Sequence, residues 1–121
     1  MCVHALNSAL PGWIVVVLRR HAGAIDELTV DEASELGVLL RKVSVGLKDI
    51  VGCTKTYVMQ FAEQPGHNHV HFHVVPRMAD LPDENRGANI FNYLGVDDEH
   101  RVSENVMNNI AARMQNELGG N

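Results

Sequence analysis

The chain has 121 residues, the length of one domain with one hydrophobic core. Hydrophobic residues make up 45% of it and charged residues 21%, which excludes a disordered chain. A formal net charge of −5 argues against a protein that binds DNA or RNA through its phosphate backbone.

The longest apolar run, residues 13–18 (W-I-V-V-V-L), is far short of the ~20 residues that span a bilayer. Residues 1–10 lack the basic start of a signal peptide, and the apolar run ends in Arg19-Arg20. Cys2 and Cys53 form no C-x-x-C pair and cannot build a zinc site alone, so a reduced cytosolic setting is expected.

No internal repeat or linker interrupts the chain. Residues 2–6 fit a short strand. Residues 13–18 read as a buried strand entered through a Pro11-Gly12 turn. Residues 24–28 are too short to assign. Thr29 and Glu32 form a capping-box pattern that opens a long helix. Its apolar positions Leu36, Leu39, Leu40, Val43, Leu47 and Ile50 keep helical spacing, and Gly52 is the expected stop. Residues 55–62 alternate like a strand, 63–68 read as a turn around Pro65-Gly66, and 69–75 read as a second strand ended by Pro76. So short a connection makes the two strands an antiparallel hairpin. Residues 78–89 read as a loop and 90–94 as a short strand. Ser103 opens a last helix with the stripe Val106, Ile110, Met114 and Leu118, a core face or a subunit contact. The sum predicts an α+β domain, with a mainly antiparallel sheet, one long helix packed on it and a C-terminal helix.

Seven histidines stand in the chain, and His67, His69, His71 and His73 fall within seven residues. On a strand, His69, His71 and His73 share one face and Val70, Phe72 and Val74 the other. The apolar face suits packing on a helix. The histidine face has four readings. A solvated polar face is the simplest, but it does not call for histidine three times. A metal site is the second. Positions i and i+4 lie ~13 Å apart along a strand, which strains three-nitrogen ligation of one metal, and no glutamate follows to complete a cupin-like set. The third is catalysis, with one imidazole as nucleophile and its neighbours donating to developing negative charge. The fourth is a nucleotide-binding module without turnover.

The run His69-Val70-His71-Phe72-His73-Val74-Val75 resembles the histidine-triad pattern, His-φ-His-φ-His-φ-φ with φ apolar. Pro76-Arg77 is similar to its continuation in the hydrolase branch. Pro11-Gly12, the apolar strand and Arg19-Arg20-His21 resemble the family's first core strand. The long helix and the Val58-Met59-Gln60 strand follow in the family's order. The resemblance covers residues 2–77, and the tail resembles a bacterial subgroup.

The resemblance implies a homodimeric nucleotide hydrolase or nucleotidyl transferase that needs no catalytic metal or other cofactor. A small nucleotide is the implied partner: a dinucleoside polyphosphate, or a phosphoramidate-type conjugate. His71 is implied as the nucleophile at the α-phosphorus, and His69 and His73 as the groups that orient it and stabilise phosphate charge. Gln60 stands where the family contacts phosphate.

The sequence departs from the family at four places. An N-terminal strand pair is not expected in so short a lead. Trp13 replaces a fourth histidine, as core or as a base-stacking platform. Ala5 stands at the ribose-gripping position, with Asn7 nearby. His67 replaces a hydroxyl residue, as a donor or as a solvated turn residue. Arg77 reads as a phosphate contact or a surface ion pair. His4 is a candidate for a base pocket. His21 is expected to end a strand or cap a short helix and to take no part in catalysis.

Overall fold

A computed structural model describes residues 2–63 and 69–119. Strands β1 (Cys2–His4) and β2 (Ile14–Val17) pair antiparallel. The turn between them needs glycine at Gly12. Its φ is +96°, and a Cβ there would stand 3.2 Å from the Pro76 ring and 3.3 Å from Leu47.

Helix α1 (Val30–Val51) begins at the expected capping box. The Thr29 hydroxyl accepts from the Glu32 N–H at 3.1 Å, and the Glu32 carboxylate accepts from the Thr29 N–H at 2.8 Å. Glu32 also pairs with Arg20 at 2.8 Å, and these donors hold its carboxyl down at about 2. The helix stops at Gly52, which takes the left-handed conformation. Thr29→Ala removes the cap and is expected to cost about 1 kcal/mol, read as a lower urea midpoint with an unchanged slope.

Strands β3 (Lys55–Met59) and β4 (His71–Arg77) complete a four-stranded antiparallel sheet in the order β1-β2-β4-β3. With α1 and the C-terminal helix α2 (Glu104–Gly119), this is the α+β architecture the sequence predicts. The helices cover one face. Val43 and Leu47 of α1 and Ile110 and Met114 of α2 join Phe72 and Val74 in the larger core. Gly46 permits this approach, because a Cβ there would lie 2.9 Å from the Met114 sulfur. Val106, the first member of the α2 stripe, is 41% exposed. No helix among the described residues is long and apolar enough to cross a membrane.

Several boundaries differ from the sequence reading, among them β1, which stops at His4 short of residue 6, and β2, which covers Ile14–Val17 within residues 13–18. Strand β4 runs over His71–Arg77, so His69 lies just before it and Pro76 lies inside it. Pro76 is tolerated because β2 starts at Ile14, opposite Val74, and β4 has no β2 partner beyond that point. Strand β3 ends at Met59, and the chain leaves the sheet toward Ala62, whose φ is +57°. Residues 90–94 are not a strand. They fall in 3-10 turns spanning Gly87–Tyr93, and Leu94 makes only an isolated bridge to Ser8. Their apolar residues Ile90, Phe91 and Leu94 recur at helical spacing, which brings them together against Trp13 and Val75 in a second, smaller core. Residues 25–27 form one 3-10 turn. Of the turn expected at 63–68, residues 64–68 lie outside the described residues, and His67 with them.

Candidate active site

The sheet register sets the site. His71 lies opposite Val17, and His73 lies between Val15 of β2 and Met59 of β3. With Val70, Phe72 and Val74 committed to the helix side, the imidazoles turn to the other face. There a groove of about 730 Å³ runs along β1 and β2, lined by all three histidines with Ala5, Asn7, Val15, Val17 and Leu94.

Backbone contacts fix the proton positions of His69 and His71, and the Trp13 indole fixes that of His73. His69 Nε2–H donates to the Leu18 carbonyl at 2.6 Å, and its Nδ1 accepts weakly from the Ala22 N–H at 3.4 Å. His71 Nδ1–H donates to the His69 carbonyl at 2.8 Å. Its Nε2 has no partner among the described residues and keeps its lone pair free. His73 Nδ1 accepts from the Trp13 indole N–H at 2.9 Å. Neutral His73 therefore carries its proton on Nε2. Burial, with His71 close by, pushes the His73 imidazole down to about 4. The His71 and His73 ring centroids stand 5.1 Å apart, and Phe91 meets His73 edge-on with centroids 5.0 Å apart.

The other expected residues separate into three groups. Asn7 and Ala5 line the groove. Trp13 is fully buried, so it cannot be a stacking platform and reaches the groove only through His73. His4 contributes to the groove wall, but its ring is committed elsewhere. It lies opposite Ile14 on the helix side, its Nε2 accepts from the Gly12 N–H at 2.8 Å, and its Nδ1–H donates to the Ala5 carbonyl at 2.9 Å. Burial lowers its pKa.

Gln60 lies one residue past β3, half-buried, and does not line the groove. Arg77 pairs with Lys55 at the far end of β4, six residues and roughly 20 Å from His71. The fold does not bring it to the triad. His67 lies outside the described residues.

The sequence reading missed two neighbours. His21 stacks on His69, with centroids 5.2 Å apart and 18° between planes. The antiparallel register carries the chain after β2 back alongside the chain before β4, and that pairing was the available signal. Phe91 was concealed by the assignment of 90–94 to a strand. As for metals, His69 has both nitrogens engaged and His73 Nε2 bears a proton. No cluster of three histidine, cysteine or acidic side chains suited to a metal occurs among the described residues.

The elements and the groove define a class: an antiparallel sheet that presents alternating histidines on the face opposite its helices. Solved structures share this fold, and the chain has the histidine-triad fold. A histidine-triad protein of Bradyrhizobium japonicum matches with TM-score 0.78 and 18% identity, over 96% of this chain and 81% of its own. One from Sinorhizobium meliloti matches with TM-score 0.75 and 21% identity, over 93% and 79%. A Hit-like protein from Bartonella henselae, described as involved in cell-cycle regulation, matches with TM-score 0.71 and 17% identity, over 96% and 78%. No family model matches the sequence, and no curated protein matches it.

Proposed function

We propose that this chain is a histidine-triad nucleotide hydrolase or nucleotidyl transferase. The observation that carries the reading is the 2.8 Å bond from His71 Nδ1 to the His69 carbonyl. That bond fixes the tautomer and aims the Nε2 lone pair into the groove. A nucleotide would lie along the groove, with its nucleoside toward Ala5 and Asn7 and its α-phosphorus at His71. Attack by Nε2 forms a phosphorus–nitrogen bond and breaks the bond to the leaving group. The His73 Nε2–H donates to phosphate oxygen as charge builds. The His69 ring, tied to Leu18, keeps the carbonyl that orients His71 in place. Water, or another acceptor, then releases the nucleoside monophosphate.

The test is intact mass after mixing with diadenosine polyphosphates and with a fluorogenic adenosine phosphoramidate, AMP release being followed in parallel. An adenylyl adduct mapped to His71 is the expected result. Nucleotide binding with no adduct and no product, across both substrates, overturns it. That outcome would support the second reading, a nucleotide-binding module without turnover, which Trp13 favours by occupying His73 Nδ1.

The same reading includes a cytosolic homodimer. Strand β3 is an outer strand of the sheet, and Val58 on it and Val45 on α1 are 45% and 43% exposed. A second copy covering this edge would bury both. Light scattering should give twice the chain mass for the native protein and a monomer for Val58→Lys; a native monomer sinks the dimer. Cys2 and Cys53 are free, and burial raises both thiols.

A further inference from the structure

Trp13 is fully buried beneath the groove, and the only polar hydrogen of its side chain points at His73 Nδ1. An indole N–H donates and never accepts. A proton on Nδ1 would therefore face another N–H inside a region closed to water, so His73 must hold its single proton on Nε2. That proton can be shared in a hydrogen bond, but a neutral imidazole does not release it. The downward shift of His73 agrees in direction.

The other imidazoles that line the groove among the described residues are in no better position. His69 Nε2–H is held by Leu18 and His4 Nδ1–H by Ala5. His71 Nδ1–H is held by the His69 carbonyl while Nε2 attacks. Among the described residues lining the groove, no side chain holds a proton that it can hand to a leaving group.

We propose that the Trp13–His73 hydrogen bond makes this site selective for substrates whose leaving group departs as a stable anion, phosphoanhydrides in preference to phosphoramidates of basic amines. The inference rests on the reading of His71 as the nucleophile. The steps balance without an acid. Nε2 bonds to the α-phosphorus, and the anhydride oxygen leaves with its electron pair as a phosphate anion. His71 keeps its Nδ1–H and becomes a phosphorylated imidazolium. Water then attacks phosphorus and loses its proton to solvent, and the phosphorus–nitrogen pair returns to Nε2 as neutral imidazole. An amine cannot follow this course, because it would have to depart as an amide anion unless something protonated it.

Three measurements on the full chain test this. In the native protein, kcat/KM for diadenosine tetraphosphate should exceed that for an alkylamine phosphoramidate of AMP by at least about a hundredfold, the scale of a missing general acid. Across AMP aryl esters, the rate should fall steeply as the phenol becomes more basic. Trp13→His, which puts a titratable donor in the same place, should narrow the substrate ratio at least about tenfold and flatten that slope.

The third measurement does not depend on turnover. Nitrogen-15 NMR of the native protein should show His73 as the Nε2–H tautomer from roughly pH 5 to 8. Equal rates on amine and anhydride in the native protein, or a His73 that carries its proton on Nδ1, overturn the inference while an adduct at His71 leaves the wider reading standing. If neither substrate class labels His71, the wider reading falls and this inference falls with it.

Discussion

His71→Ala is expected to lower kcat on a phosphoanhydride substrate by at least about 10⁴-fold and to abolish the covalent adduct. The loss is that large because no neighbour among the described residues can take over. His69 has both ring nitrogens engaged by Leu18 and Ala22, and His73 has Nδ1 occupied by Trp13 and a proton on Nε2. The groove and its other donors remain, so nucleotide affinity should change far less than rate, which separates attack from binding. His69→Ala should cost much less. The group that orients His71 is the residue-69 backbone carbonyl, which alanine keeps and only unfastens from Leu18. Single-turnover quench-flow, with adduct and product resolved, measures both variants. An active His71→Ala that still forms an adduct would move the nucleophile elsewhere.

Stability should rise with pH between about 4 and 6.5, with His73 the main source. Its folded value of about 4 lies below the ordinary 6.5, so the unfolded chain binds the extra proton in that window. The stabilisation is complete above 6.5 and lost as pH falls toward 4. Its size is up to about 3 kcal/mol, and His73, 9% exposed, is shielded enough for most of it to survive. His4, also lowered by burial, adds in the same direction. Glu32, held at about 2, acts in a lower window, as pH falls below 4.5. Urea unfolding at a series of pH values gives the slope. His73→Gln, whose amide oxygen can accept from Trp13, should remove close to one proton's worth of it. An unchanged slope in that variant would assign the dependence to other groups.

Much of this was legible because local chemistry and global packing agree. Thr29 and Glu32 announced the helix start, Gly52 its end, and the strict alternation from Val70 to Val74 gave the two faces of the central strand. What escaped depended on neighbours distant in sequence. Pro76 looks like a strand terminator until the short reach of β2 is known. Residues 90–94 read as a strand because a brief apolar run is ambiguous until its burial partners, Trp13 and Val75, are in place. His4 and Arg77 were reasonable ligand candidates by residue type, but the register turned one ring toward Gly12 and put the other residue at the far end of its strand. Trp13 showed only as a departure from a pattern. Its bond to His73, 60 residues away, could not be read from spacing.

Strand β4 supplies the larger core with Phe72 and Val74 and chemistry with His71 and His73 between them. That double use limits how the gene can change. Loss or gain of a single codon within 71–75 would exchange the two faces, driving imidazoles against Val43 and Leu47 and turning Phe72 and Val74 to the groove. Such a frame-preserving indel would destroy fold and site together. The strand is therefore expected to change only by substitution, and new specificities to arise at the rim of the groove.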